Sequence, residues 1–226
     1  MRRHLPNQLT VARLVLAAAF FAVLNQYRYV GAAQPQTGLL AGALALFLVA
    51  AMTDFLDGFL ARKWRVVSLF GRIIDPVADK ILIIGAFIYL AGPRFVVPAT
   101  LSAGPTGAAP GVEMASGVHP WMVVVILLRE LGVTSIRAAL ESRGIDCSAR
   151  WSGKLKMILQ VIAVPVVLIV VWIDPLTYEP ARWVRDVVVW ATVAATIVSG
   201  LPYISGAIRA AKGDAADSPP KPAEDR

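Results

Sequence analysis

The stretches TDFLDGFLAR at residues 53–62 and GRIIDPVADK at residues 71–80 decide the fold of this chain. The first ends a long apolar run and the second opens another, so both place charges where a helix would leave the core of a membrane. Hydrophobic residues make up 57% of the 226 residues and charged residues only 16%, against about 25% in soluble domains. The mean hydropathy is +0.65. We therefore expect an all-α integral membrane protein.

Six apolar runs are long enough to cross a bilayer and predict six transmembrane helices. The region between the third and fourth runs, residues 92–119, is rich in Gly, Ala, Pro and Ser and is predicted to be a loop with little regular structure. Residues 1–211 are predicted to form one membrane domain, and residues 212–226 a disordered cytoplasmic tail. The six runs cover residues 9–25, 37–61, 74–90, 120–140, 153–173 and 183–210.

The distribution of the 22 Lys and Arg residues predicts the topology. Only Arg28, Arg94, Arg182 and Arg185 fall in or beside the segments on one side of the membrane, and the other 18 fall on the opposite side. Because basic residues stay cytoplasmic, we expect both termini and the acidic stretches at the cytoplasmic face of the cell inner (plasma) membrane. The net charge of +7 reflects this topology, and we expect no nucleic-acid partner.

The four aspartates of the acidic stretches are spaced to converge. Asp54 and Asp57 are three residues apart, and Asp75 and Asp79 are four apart, so each pair shares one helix face. A short connection makes the two helices antiparallel neighbours. Four carboxylates packed together repel one another unless cations neutralise them, and an all-oxygen set selects Mg²⁺, Mn²⁺ or Ca²⁺ over zinc. Four aspartates could hold two such ions about 4 Å apart.

Three small residues accompany these aspartates, each four positions from one of them: Gly58, Ala61 and Gly71. They would stack beside the carboxylates and leave room for a ligand to approach the backbone. The alternative is that the aspartates are ordinary interfacial charges neutralised by nearby Lys and Arg side chains. Four aspartates at paired helical spacing with aligned small residues favour the site.

The acidic stretches resemble a family signature, D-x2-D-G-x2-A-R-x8-G-x3-D-x3-D, that of the CDP-alcohol phosphatidyltransferases. Residues 6–13 also resemble the P-N-x-L-T-x-x-R opening found in that family. The resemblance implies a six-helix, metal-dependent membrane transferase that is a homodimer. The chain matches the signature at every fixed position: Asp54, Asp57, Gly58, Ala61, Arg62, Gly71, Asp75 and Asp79.

The resemblance also implies roles for individual residues. Two ions, Mg²⁺ or Mn²⁺, would be held chiefly by Asp54, Asp57 and Asp75, with Asp79 close to the second ion and acting as the catalytic base. The CDP group would lie against residues of the opening and of the signature. That CDP-binding set is Asn7, Thr10, Asp57, Gly58, Ala61, Arg62 and Gly71.

Two later stretches resemble the phosphatidylglycerophosphate synthases within the family. They are the R-E pair at 129–130 and GKLKMILQ at 153–160, where Met157 replaces the usual Thr. An acceptor such as glycerol 3-phosphate is a dianion and needs fixed cations, and Arg binds phosphate in a bidentate way. The sequence offers four candidates for this acceptor phosphate site: Arg129, Arg137, Lys154 and Lys156.

Two alternatives stay open for this basic set. Lys154 and Lys156 could merely snorkel to the interface and fix the topology. Glu130 could pair with Arg129 or Arg137.

The expected reaction transfers a phosphatidyl group from CDP-diacylglycerol to glycerol 3-phosphate, with membrane lipids surrounding the enzyme. The same chemistry on inositol phosphate, or on phosphatidylglycerol as in a cardiolipin synthase, is the alternative, and the basic set disfavours serine. A cation channel or transporter would place its acids near the middle of the membrane. A scaffold protein with a degenerate motif is disfavoured because the signature is intact.

Overall fold

In the part of the chain that it describes, the computed structural model has six long helices, which confirms the predicted all-α membrane fold. They are α1 (Leu5–Gln26), α2 (Thr37–Trp64), α3 (Leu69–Leu90), α4 (Pro120–Glu141), α5 (Trp151–Ile173) and α6 (Glu179–Ala216). The structure describes residues 5–30, 36–64, 69–98, 113–141, 151–173 and 176–216, and within them the side chains of residues 10–30, 36–55, 80–98, 113–140, 153–173 and 176–208.

Three of these helices contain described segments long and apolar enough to cross a membrane: Thr37–Phe55, Gly153–Ile173 and Glu179–Ile208. Shorter apolar segments lie in α1 and α3, at Thr10–Gln26 and Lys80–Leu90. The helix α4 has 22 residues, and its apolar sequence is interrupted by the charged residues Arg129, Glu130 and Arg137. The charges of α4 therefore need partners inside the bundle.

The bundle consists of two groups of three helices. In one group α1 packs against α2 and α3, and in the other α6 packs against α5 and α4. The groups meet where α2 and α3 contact α5 and where α3 contacts α4. At the tight α1–α3 crossing, a methyl group added at Gly85 would collide with the ring of Phe21. Phe21 also stacks on Tyr89, with ring centroids 5.2 Å apart.

Large apolar side chains cover the outside of the bundle. Phe55 is 70% exposed, Leu128 68% and Trp183 71%. A soluble monomer rarely shows a contiguous apolar surface, so this surface fits lipid contact.

The described parts of the 92–119 region contain little regular structure, as the sequence predicted, and specific contacts hold them against the bundle. Pro93–Phe95 form a 3₁₀ helix, and Val96 pairs with Met114 in an isolated antiparallel bridge. Gly117 turns the chain at φ 67°, a left-handed conformation that glycine adopts readily. The middle of this region lies outside the described residues. We call residues 93–98 and 113–118 the outer cap.

A buried arginine of α6 holds the outer cap. Arg185 is 5% exposed, and its Nη1 donates to the carbonyl oxygen of Ala115 at 2.8 Å. Its Nη2 and Nε contact the carboxylate of Asp186 at 2.7 and 2.8 Å. The hydroxyl of Ser116 donates to the carbonyl of Leu90 at 2.6 Å, which ties the cap to the end of α3.

The last helix runs further than the sequence predicted. It ends at Ala216, beyond residue 212 where the tail was predicted to begin. The rest of that tail lies outside the described residues, so its predicted disorder stays a prediction.

Candidate active site

Asp54, the first aspartate of the signature, is held by an arginine of α1. The Nη1 atom of Arg13 lies 2.8 Å from Oδ1 of Asp54. Arg13 is 1% exposed, whereas the side chain of Asp54 keeps 31% of its surface. A buried guanidinium therefore fixes one carboxylate oxygen while the carboxylate still faces open space. Thr10, one turn earlier on α1, is fully buried.

The other signature residues can be located only by their backbone. Asp57, with its glycine and arginine neighbours, lies in α2, and Asp75 and Asp79 lie in α3. Their side chains lie outside the described residues, as does that of Asn7 in α1, so the predicted convergence of the four carboxylates stays a prediction. The side chains that the structure describes contain no cluster of three Asp, Glu, His or Cys residues. The predicted contacts of Gly58, Ala61, Arg62 and Gly71 with the CDP group likewise stay a prediction, because the side-chain surroundings of these residues are not described.

An apolar groove begins at Asp54 and runs between the two helix groups. It encloses about 550 Å³, with Arg13, Asp54 and Lys154 at its polar end. Apolar side chains of α2, α3 and α5 form its walls, among them Ile158 and Ile162. Ile158 is 53% exposed and Ile162 48%, so the groove is open on the lipid-facing surface of the bundle.

A second cavity, which we call the basic cavity, lies between α3, α4, α5 and α6 and encloses about 400 Å³. The structure brings three of the four predicted acceptor residues to this cavity. The fourth, Lys156, does not line it. The charged or phenolic side chains at its walls are those of Lys80, Arg129, Glu130, Arg137, Lys154 and Tyr203.

Two arginines of the basic cavity are held by α6. Arg129 donates from Nε to the hydroxyl of Ser199 at 3.1 Å. Arg137 donates from Nη2 to the phenolic oxygen of Tyr203 at 3.0 Å, and its guanidinium carbon lies 5.6 Å from the centre of that ring. Hydrogen bonds to α6 already restrict the rotamers of these long side chains, so less conformational entropy is lost when they bind a ligand.

Lys156 is buried and faces Glu130. Both residues are 7% exposed, and the Nζ atom of Lys156 forms an ion pair with Oε1 of Glu130. The same Oε1 atom lies 3.5 Å from Nη1 of Arg129, so the expected contact between Glu130 and a neighbouring arginine is present. Thr134 donates to the carbonyl of Glu130 at 2.7 Å and accepts from Nζ of Lys80 at 2.5 Å.

The sequence did not predict three features of this site: the pairing of Arg13, the last residue of the opening at 6–13, with Asp54, and the positions of Lys80 and Tyr203 at the wall of the basic cavity. A weak signal existed for Lys80, which directly follows Asp79 in the motif helix. No sequence signal pointed to Tyr203, because its position depends on how α6 packs against α4.

The fold defines a helical membrane protein. Between its helices lie a carboxylate and a cluster of Lys and Arg side chains, and such a cluster is suited to phosphate-bearing ligands. The chain belongs to the CDP-alcohol phosphatidyltransferase family, whose model matches residues 3–198. The predicted family and enzyme class are thereby confirmed, and membership favours an enzyme over a channel, transporter or scaffold.

Several relatives cover most of the chain. A CDP-diacylglycerol–glycerol-3-phosphate 3-phosphatidyltransferase of Bacillus subtilis is 34% identical over 89% of this chain and 94% of its own. A probable phosphatidylglycerophosphate synthase of Mycobacterium tuberculosis is 32% identical over 91% of this chain and 82% of its own. A CDP-diacylglycerol–glycerol-3-phosphate 3-phosphatidyltransferase of Cereibacter sphaeroides is 27% identical over 92% and 97%.

Proposed function

We propose that this chain transfers the phosphatidyl group of CDP-diacylglycerol to glycerol 3-phosphate, giving phosphatidylglycerol phosphate and CMP. The observation that carries the choice of a phosphate-bearing acceptor is the basic cavity, where Arg129, Arg137 and Lys154 meet beside the motif helix α3. Such a cluster suits a phosphate dianion, and a neutral acceptor would leave it uncompensated. The names of the relatives agree with this acceptor.

The acceptor phosphate is assigned to Arg129, Arg137 and Lys154, which line the basic cavity, and Lys156, the fourth residue of the predicted set, lies beside them without lining that cavity. Two of the assigned residues are arginines whose N–H groups can bind phosphate oxygens in pairs. Both are also tied to α6 by hydrogen bonds, so their orientation is set before the acceptor arrives.

The metal site of the proposal consists of Asp54, Asp57, Asp75 and Asp79, with Mg²⁺ or Mn²⁺ as two bound ions. The donor set fits these ions because it is made of carboxylate oxygens. Asp54 is compatible with this fit because its side chain keeps 31% of its surface exposed at the apolar groove, although Arg13 already pairs with Oδ1. When bound, the ions would neutralise charge on the pyrophosphate and polarise the attacked phosphorus.

The protein's own residues would orient both substrates and move one proton. A hydroxyl of glycerol 3-phosphate attacks the phosphorus that carries diacylglycerol, and the bond from that phosphorus to the bridging oxygen breaks, releasing CMP. Asp79 would accept the hydroxyl proton as a general base. The proposed CDP-binding set is Asn7, Thr10, Asp57, Gly58, Ala61, Arg62 and Gly71.

The lipid part of the donor is assigned to the apolar groove. The polar end of the groove, at Asp54 and Lys154, would lie beside the pyrophosphate, and the apolar wall at Ile158 and Ile162 would contact an acyl chain. Because that wall is open to the lipid-facing surface, the donor can enter sideways from the bilayer.

The active site and both termini are assigned to the cytoplasmic side of the plasma membrane. The enzyme is further proposed to be a homodimer. The asymmetry of Lys and Arg supports the orientation, with 18 of 22 on the predicted cytoplasmic side. The homodimer rests on the family resemblance alone.

The proposal is tested with detergent-purified enzyme and CDP-diacylglycerol. CMP release is measured with glycerol 3-phosphate, inositol phosphate, serine and phosphatidylglycerol in turn, with and without Mg²⁺ or Mn²⁺. We expect release only with a divalent ion and fastest with glycerol 3-phosphate. Faster release with any other acceptor would contradict the assignment, and full activity after chelation would contradict the metal site.

A further inference from the structure

Among the described side chains that line the basic cavity, Glu130 is the one that is acidic. It is 7% exposed, and its Oε1 atom contacts both Lys156 and Arg129. A buried carboxylate costs free energy unless it is paired, and here two cations pair with it. Glu130 is therefore a paired, stably buried part of the cavity wall, although its carboxylate would repel a phosphate group that came close.

The two lysines at the start of α5 do not have equivalent environments. Lys154 is exposed and lines both the apolar groove and the basic cavity. Lys156 is buried and lines a smaller cavity of about 240 Å³ with Glu130 and Gln160. Residues two apart on a helix do not share a face, which accounts for the division.

We propose that Glu130 is a positioning residue for the acceptor site, and that Lys156 acts through Glu130 rather than by contacting the acceptor phosphate. The proposal rests on the proposed function. Oε1 of Glu130 holds Nη1 of Arg129 from one side, while Ser199 holds its Nε from another. Lys156 neutralises the carboxylate, so that Glu130 can hold Arg129 without adding net negative charge at the cavity wall.

Arg129 lies between α5 and α6 and faces a glycine of each helix. A Cβ added at Gly153 would lie 4.0 Å from Nη2 of Arg129, and one at Gly200 would lie 3.5 Å from its Cγ, so both glycines leave room beside the arginine. The polar contacts with Ser199 and Glu130, rather than tight packing, therefore orient the guanidinium.

The test compares Glu130→Gln, which keeps the shape and removes the charge, with Lys156→Met and with the double variant. We expect Glu130→Gln to raise the KM for glycerol 3-phosphate by about tenfold while the KM for CDP-diacylglycerol changes by less than about twofold. Lys156→Met should raise the acceptor KM by no more than about threefold, because Arg129 keeps its carboxylate partner. Glu130→Asp should recover part of the loss.

A matched control is Glu113→Gln, which removes a carboxylate paired with Arg182 at 3.2 Å in the outer cap. It should leave both KM values unchanged. Resistance to unfolding by SDS is measured for every variant, and the double variant should be more resistant than Glu130→Gln because it contains no buried, unpaired lysine.

Three results would overturn the proposal. An acceptor KM of Glu130→Gln within about twofold of wild type would remove the positioning role. An acceptor KM for the double variant about tenfold above that of Glu130→Gln would place Lys156 on the phosphate itself, because no Glu130 carboxylate is left for it to act through. Parallel losses for both substrates would mean a purely structural role. If the wild type preferred another acceptor, the proposed function would fail, and the same comparison with that acceptor would still test Glu130.

Discussion

Replacing Arg185 with methionine should destabilise the protein without altering its chemistry. The substitution keeps an unbranched apolar stem but removes every donor of the guanidinium. Arg185 of α6 contacts the outer cap, at the end of the bundle opposite to Asp54, and it lines neither the apolar groove nor the basic cavity.

The magnitude follows from the acceptors that Arg185 would leave behind. The carbonyl of Ala115, in a residue 1% exposed, loses a donor at 2.8 Å, and such a loss costs about 1–3 kcal/mol. The carbonyl of Met114 accepts from Arg185 only at 3.5 Å and keeps its bond from the amide of Gly117. The carboxylate of Asp186 is 36% exposed and can be hydrated. We therefore expect a loss of about 2 kcal/mol in the free energy of unfolding.

The assay is unfolding by SDS in mixed micelles, followed by tryptophan fluorescence, together with CMP release at a temperature where both proteins are folded. Arg182→Met is the matched control, since Arg182 lies one turn away, is 48% exposed and pairs with Glu113. A surface ion pair of this kind contributes less than about 1 kcal/mol. Equal losses for the two variants, or a fall in kcat for folded Arg185→Met, would refute the reasoning.

Three further substitutions address the chemistry. Asp79→Asn should abolish CMP release while CDP-diacylglycerol still binds, as measured by equilibrium binding of labelled donor; near-normal turnover would remove the base assignment. Arg137→Lys keeps the charge but loses the paired N–H groups, so the KM for glycerol 3-phosphate should rise about tenfold with little change for the donor. Ile158→Trp narrows the apolar groove and should raise the donor KM several-fold without changing the acceptor KM, and the opposite split would contradict the assignment of the groove.

The sequence predicted the helices well because crossing a membrane demands long apolar runs and satisfied backbone groups. The predicted starts at residues 120 and 153 lie close to Pro120 and Trp151, where α4 and α5 begin. Errors occurred where helices continue into polar sequence. The helix α6 runs to Ala216. The hydrogen bonds of a helix backbone do not need apolar side chains, so a helix can continue into the polar sequence beyond the membrane, where the apolar pattern no longer indicates it.

The candidate site was only partly predictable. Lys154 and Lys156 were treated alike, although a helical projection separates residues two positions apart and could have distinguished them. The pairing of Arg13 with Asp54 and of Arg137 with Tyr203 depends on how distant helices pack, which local spacing does not encode. The order in the outer cap likewise depends on Arg185, a residue of α6 far along the chain.

Because the apolar groove is open to the lipid-facing surface, the relevant concentration of the lipid donor is its concentration within the membrane or micelle rather than in bulk solution. A substrate that enters between Ile158 and Ile162 arrives by diffusion in two dimensions, so its mole fraction among the surrounding amphiphiles sets occupancy. Adding inert detergent at constant bulk donor should then slow the reaction by surface dilution. The soluble acceptor, which reaches the site from water, would follow ordinary molarity.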